Sequence, residues 1–381
     1  MDIRWMVILF TIAAGLHAYF WKCFIRDTGF SARRVRTAAV ALVLVTVLVP
    51  ASFLLRRHLS QPLDTVLYLV LISWLAIVFF LVCLRFIAGV IPVSFRLAHF
   101  LKRRKDIDPS RRLFLSQALA VGTLSVGFGG LVHGVRKSYE DPEIREVEIK
   151  LDRLPPGAQG LTIAQLTDLH VAPWTQDDFV GHLVERTNAL RPDIAVVTGD
   201  VVDGGVREIG PLVAALGKLR ARYGVYFVTG NHEYYVGVHP WMKEMEKMGL
   251  IPLINRGVIL AGSVYLAGIP DTSARWVPGA VRPDVSVAMS SRPEDLPAIL
   301  LAHQPREIDS AVAGGVDLQL SGHTHGGQVW PFGMIVMSMQ PYLSGLHRRG
   351  PTQIYVTRGA GSWGPPIRIG APSEIARIVL V

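Results

Sequence analysis

With 381 residues the chain has room for two domains, and half of its residues are hydrophobic. The net charge of +9 is uneven, because residues 1–135 hold 16 Lys/Arg against 5 Asp/Glu while the remainder carries a slight acidic excess. That excludes a basic nucleic-acid-binding face on the second part, and no nucleic-acid partner is expected.

The N-terminal third contains four long apolar stretches, at about Trp5–Trp21, Thr37–Leu55, Thr65–Ile91 and Leu113–Val135. A spanning helix needs about 20 apolar residues, so residues 1–135 are expected to form a transmembrane region of four helices in the bilayer. Arg85 lies near one end of its stretch, where its side chain can reach the interface. Both cysteines, Cys23 and Cys83, fall in this region, so the rest of the chain has no disulfide and no thiolate.

Loop charge sets the orientation. Lys22, Arg26, Arg33, Arg34 and Arg36 follow the first stretch, and Arg96, Lys102–Lys105 (all basic), Arg111 and Arg112 follow the third; the loop between holds only Arg56 and Arg57. The positive-inside rule puts the first and third loops in the cytoplasm, so everything after Val135 is expected outside it. This predicts a multi-pass protein of the inner (plasma) membrane with an extracytoplasmic C-terminal domain. Ser110-Arg111-Arg112-Leu113-Phe114-Leu115 resembles a twin-arginine export signal, and reads equally as a further cytoplasmic anchor.

Residues 136–157 read as a polar connector with a first strand at Val147–Leu151, and residues 158–381 as the catalytic domain. Strands are expected at Leu161–Leu166, Ile194–Val197, Val225–Val228, Val264–Gly268, Ala298–Leu301, Leu318–Leu320, Gln353–Val356 and Ile375–Leu380. Helical patterns cover Asp177–Leu190 and Pro211–Arg222, and Pro270–Pro297 reads as a long loop. Strands alternating with helices, then mostly strands, predict an α/β domain built on sheets with flanking helices.

Metal-liking side chains recur at the ends of these strands: Asp168 and His170, Asp200, Asn231 and His232, His303, and His323 and His325. In α/β sheets the carboxyl ends of strands converge on one edge, so such residues can meet. Carboxylate and imidazole suit Mn, Fe or Zn ions, and a carboxylate can bridge a pair of ions about 3.5–4 Å apart.

The blocks Asp168-Leu169-His170, Gly199-Asp200-x-x-Asp203, Gly230-Asn231-His232-Glu233, Ala302-His303-Gln304-Pro305 and Gly322-His323-Thr324-His325-Gly326-Gly327-Gln328 resemble the calcineurin-like metallophosphoesterase family. The Gly322–Gln328 block, with Tyr355–Gly361 and the Pro-Pro-Ile-Arg segment after it, is similar to the membrane-associated bacterial branch. The resemblance implies a β-sandwich flanked by helices and a centre of two divalent ions, Mn foremost, with Fe, Zn, Co or Mg as alternatives. It implies that Asp168, His170 and His325 hold one ion, that Asn231, His303 and His323 hold the other, and that Asp200 bridges them. His232 would act on the phosphoryl group or the leaving oxygen, with Asp203 and Glu233 in supporting positions.

The expected activity is hydrolysis of a phosphate ester or phosphoanhydride in a small-molecule, lipid-linked or cell-envelope substrate. Two alternatives are a cytoplasm-facing pyrophosphatase acting on a nucleotide-diphosphate lipid and a non-catalytic membrane sensor. Trp330, Phe332, Met334, Ile335, Met337, Met339 and Tyr342 crowd the segment after the last metal block, either to meet lipid or to pack over the sheet. Arg348, Arg349 and Arg358 are candidates for substrate phosphates or for solvated surface.

Overall fold

The computed structural model describes residues 3–55, 59, 61–100 and 108–381. The loop cations Arg56, Arg57 and Lys102–Lys105 lie outside the described residues. Two compact units are present, Met1–Arg136 and Lys137–Val381.

The first unit contains four helices, α1 (Ile3–Phe24), α2 (Ala32–Leu55), α3 (Gln61–Phe100) and α4 (Pro109–Tyr139). Each includes a segment long and apolar enough to cross a membrane. The helices outrun the apolar stretches; α3 continues through Arg96, which the sequence places in a loop. A polar cluster joins three of them. Thr46 Oγ1 donates to the Leu42 carbonyl (2.7 Å) and therefore accepts from His17 Nδ1 (2.7 Å), while Trp74 Nε1 donates to His17 Nε2 (2.9 Å). The network assigns the His17 proton to Nδ1, and all three side chains are satisfied away from water.

The second unit runs β1 (Glu143–Ile149), β2 (Thr162–Leu166), α5 (Phe179–Ala189), β3 (Ile194–Val197), α6 (Val206–Val213), β4 (Val225–Phe227), α7 (Asn231–Val236), α8 (Val238–Lys247), β5 (Ile251–Pro252), β6 (Arg256–Leu260) and β7 (Val264–Gly268). It continues with α9 (Val285–Met289), β8 (Ala298–Leu301), α10 (Ile308–Ala313), β9 (Leu318–Ser321), α11 (Gly333–Val336), β10 (Gly345–Arg349), β11 (Thr352–Val356) and β12 (Glu374–Leu380). The first strand begins four residues earlier than expected, and the expected loop at 270–297 holds a 3-10 turn, Thr272–Trp276, and α9.

Two six-stranded sheets form, in the orders β1-β12-β2-β3-β4-β5 and β10-β11-β9-β8-β7-β6. Strands β2 to β5 are parallel, as are β7, β8, β9 and β11, so both sheets carry strand carboxyl ends along one edge. Strand periodicity explains the layering. Ile194 and Val196 face the second sheet, while Ala195 and Val197 face α5, α6 and α8. In β8, Ile299 and Leu301 face the first sheet, while Ala298 and Leu300 face α9 and α10. Strands buried on both faces must be apolar at every position, which is why they read as short continuous runs. The result is a β-sandwich with helices outside each sheet.

Candidate metal centre

The site is built at the carboxyl ends of β2, β3, β4, β8 and β9, each of which passes directly into one of the five blocks. The loops after β2 and β3 run side by side: the Asp168 amide donates to the Gly199 carbonyl (3.0 Å) and the His170 amide to the Asp200 carbonyl (3.1 Å). Asp168, His170, Asp200, His323 and His325 all have positive φ, between 48° and 71°. Each such non-glycine residue costs of order 1–3 kcal/mol, and strain of this kind persists where surrounding contacts over-determine the backbone.

Glu233 supplies one such contact set. Its buried carboxylate accepts from the amides of Gly230 (2.6 Å), Val201 (2.8 Å) and Asp200 (3.0 Å), tying the β4 exit to the β3 exit. Gly230 is glycine for a steric reason, since a Cβ there would lie 2.2 Å from Asp200 Oδ1.

The structure brings every sequence-expected ligand together. Three groups of ligand atoms form: Asp168 with His170 and His325, Asp200 with His170 and His232, and Asp200 with His303 and His323. His170 Nε2 and His325 Nε2 face each other at 2.9 Å, with Asp168 Oδ1 3.5 Å from the latter. On the other side His303 Nε2 lies 3.2 Å from both Asn231 Oδ1 and His323 Nδ1. Asp200 stands between, its Oδ2 3.1 Å from His303 Nε2 and 3.9 Å from both His170 Nε2 and His232 Nε2.

This donor set fits metal ions. Imidazole nitrogens aimed at one another need a cation between their lone pairs, and buried carboxylates need compensating charge. Burial lowers His323 to about 3 and holds His325 well below the usual histidine range, so both present neutral, ligand-competent rings. Burial alone would raise Asp200, but the charges of His303 and His232 hold it well below the usual carboxylate range. His303 Nδ1 donates to the Thr198 carbonyl (2.8 Å), so that the lone pair of the neutral ring would lie on Nε2.

His232 and Asp203 form a pair beside these clusters. The Asp203 carboxylate accepts from His232 Nδ1 and lies 3.2 Å from His170 Nδ1. Burial opposes protonation of His232, but Asp200 and Asp203 outweigh it and raise the ring to about 9.

Several contacts have no counterpart in the sequence reading. Tyr235 lies against His232, with ring centroids 5.1 Å apart. Arg368 of the Pro-Pro-Ile-Arg segment is buried, with its Nη2 3.2 Å from His325 Nδ1 and its remaining bonds to backbone carbonyls, among them Ala371 (2.9 Å). Only its place beside a family-like block signals it. Arg358 does not face the metal residues as a free cation; it pairs with Glu374 (2.6 Å) and Glu143 (3.0 Å), and Arg349 pairs with Asp309 (2.9 Å).

Residues 161–327 match the family described as Calcineurin-like phosphoesterase. The chain is 39% identical over 298 residues to a metallophosphoesterase of Helicobacter pylori, covering 78% of this chain and 79% of that one. It is 34% identical over 289 residues to a transmembrane protein with metallophosphoesterase domain from Bos taurus, covering 72% of this chain and 64% of the relative. Among solved structures, a dimetal phosphatase from Danio rerio aligns with a TM-score of 0.37 and 13% identity, over 58% of this chain and 93% of that one.

Proposed function

This chain belongs to the calcineurin-like phosphoesterase family and is a metal-dependent phosphoesterase carried by membrane helices, and from that premise we propose that it hydrolyses a lipid-linked or cell-envelope phosphate compound outside the cytoplasm. The observation that carries the residue assignment is the position of Asp200, whose Oδ2 lies 3.9 Å from His170 Nε2 on one side and 3.1 Å from His303 Nε2 on the other.

In this reading Asp168, His170 and His325 would hold one ion and Asn231, His303 and His323 the second, with Asp200 placed between the two sets. Bound there, two ions of the Mn, Fe or Zn type supply Lewis acidity to the phosphoryl oxygens and an activated water. The protein's own groups do the rest. His232 delivers the proton at Nε2 to the leaving oxygen, and Asp203 keeps the Nδ1 proton in place, so the ring stays oriented after it has given the other away. Asn231, a neutral ligand, limits the negative charge gathered around the anionic substrate. Glu233 acts through the backbone, by holding the loops that carry Asp200 and Asn231.

The extracytoplasmic placement rests on the excess of Lys and Arg in the first and third loops of the membrane region, 1–135, with the catalytic domain, 158–381, following the fourth helix. The substrate class follows from that placement and from the tether.

The test is to incubate the detergent-solubilised chain with Mn²⁺ and a bacterial envelope extract, beside Asp200→Asn, and to follow phosphate-bearing lipids by mass spectrometry. Loss of one such lipid with the intact protein alone supports the reading. Cleavage of generic phosphoesters with no change in the lipid fraction overturns the lipid part, and inactivity with Mn²⁺, Fe, Zn²⁺, Co²⁺ and Mg²⁺ overturns the assignment of residues.

A further inference from the structure

From Leu318 to Ser373 the chain has no acidic residue, although it carries Arg348, Arg349, Arg358 and Arg368. Within this stretch lies an apolar segment whose side chains point outward: Trp330 is 47% exposed, Met334 69%, Ile335 45%, Met337 54% and Met339 59%. These residues are not loosely packed for want of a scaffold. Val336 turns inward at 8% exposure, and the backbone of Gly333 approaches so closely that a Cβ on Gly327 would lie 2.4 Å from the Gly333 Cα.

The chain just after the segment is fastened twice to residues that adjoin the clustered histidines. On one side Thr324 Oγ1 donates to the Leu343 carbonyl (2.6 Å), and on the other Gln340 Nε2 donates to Gln304 Oε1 (3.1 Å), while its Oε1 accepts from the Arg306 amide (3.1 Å). The isolated bridges of Val329 to Ile369 and Gly370 close the base. A rigid base next to the site thus presents a ridge of Met, Ile and Trp to the outside.

We propose that the ridge Trp330–Met339 is a membrane-docking surface that seats the catalytic unit on an anionic bilayer. Two observations select lipid as the occupant. Among the described residues four helices are able to cross a membrane, and only residues 140–142 separate the end of α4 from β1, so a bilayer is always close at hand. The charge also matches: exposed Arg306, whose Nη2 reaches the Met339 carbonyl at 3.4 Å, and exposed Arg348, whose carbonyl accepts from Tyr342, flank the ridge, which itself lies in the stretch free of carboxylates. Flexible Met and Ile side chains enter the acyl boundary, Trp sits at the headgroup level, and arginines meet anionic headgroups. Docking brings the metal site to the lipid surface whether the substrate is a lipid or a soluble phosphate compound, so the inference stands apart from the substrate proposed above.

The experiment uses the full chain in vesicles of phosphatidylglycerol and phosphatidylethanolamine, with Cys23 and Cys83 replaced by alanine and a nitroxide placed at Met334→Cys or Met337→Cys. A label at Val287→Cys, a 50% exposed position on α9, serves as the aqueous control. The ridge labels are expected to collide more with oxygen than with a water-soluble nickel chelate, and the control label the reverse. Arg306→Glu with Arg348→Glu is expected to reduce the lipid-facing fraction, roughly fivefold per charge lost. Ridge labels that behave like Val287 overturn the proposal, as does strong dipolar coupling between labels on two copies, which would make the occupant a second protomer. An unchanged fraction in the double glutamate variant overturns the choice of an anionic surface.

Discussion

Asp203 accepts a hydrogen bond from Nδ1 of His232, and this leaves Nε2 of the ring directed toward Asp200, 3.9 Å away. One carboxylate thereby fixes both the tautomer and the direction of an imidazole that is not counted among the six outer ligands. His232→Asn is expected to lower kcat by about 10²–10⁴-fold with two ions per chain retained, measured by turnover beside elemental analysis. Asp203→Asn is expected to cost roughly tenfold and to move the alkaline limb of the pH–rate profile to lower pH. The sign follows from the acid's role: the carboxylate raises the pKa of the ring, so without it the proton is lost earlier as pH rises. An alkaline limb that stays in place would show that another group donates the proton.

Protein stripped of metal by chelation should be most stable near neutral pH. Burial and Asp200 raise Glu233 from the ordinary 4.5 to about 7, and the carboxylates raise His232 from 6.5 to about 9 despite burial. Both folded values exceed the unfolded ones. Their stabilisation is therefore complete below the ordinary values and fades between 4.5 and about 7 for Glu233, and between 6.5 and about 9 for His232. Asp200 and Asp203 are held below their ordinary 3.8, so their contribution is lost only in stronger acid. His323, lowered to about 3, and His325, held below 6.5, have the opposite sign, their stabilisation being complete above 6.5 and lost as pH falls through that value. Denaturant midpoints of the metal-free chain should therefore peak near about pH 6–7 and decline toward pH 9. A flat profile over that range would contradict the charge arrangement described.

Gly322 is a position where one methyl group reaches the metal residues directly. A Cβ there would meet Asp168 Oδ2 at 2.1 Å and Thr167 Oγ1 at 2.6 Å, both buried. Gly322→Ala should lower stability by about 1–3 kcal/mol and weaken metal binding on the order of 10–100-fold, read by calorimetric titration. Gly157→Ala, at an exposed position with nothing within 4 Å of its added methyl and a φ outside the left-handed region, should lower neither quantity.

In the membrane unit, His17→Phe removes two hydrogen bonds that join α1 to α2 and α3. Interhelical bonds of this kind are each worth roughly 0.6 kcal/mol, up to about 1.7. The variant should unfold about 1–2 kcal/mol more easily in detergent, followed by thermal shift, while hydrolysis of a soluble phosphoester stays at the wild-type rate. A fall in activity without a fall in stability would mean that His17 does more than join helices.

The gathering of the proposed ligands was legible in the sequence because each of their blocks lies just after a strand that is apolar on both faces. Strands such as Ile194–Val197 and Ala298–Leu301 have the bounds their apolar runs predict, and the polar residues that interrupt those runs are the ones that meet. Elements lacking such a run were not legible. The two-residue β5 and the exposed hairpin strand β10 bury little, so no periodicity marks them, and α7 begins at ligand residues rather than at an apolar stripe.

By itself the sequence determined what is local: four spans, the strand runs, and the residue types that follow each run, because burial and metal affinity are properties of short segments. Only the tertiary structure decided what depends on distant pairs. It inserted β12 between β1 and β2, set Asp200 Oδ2 between His303 and His170, turned the Nδ1–H of His232 toward the Asp203 carboxylate, and closed Arg358 onto Glu374 and Glu143. These follow from sheet order and loop closure, which bring together groups separated by tens to hundreds of residues, and no pattern along the chain encodes which carboxylate will face which ring.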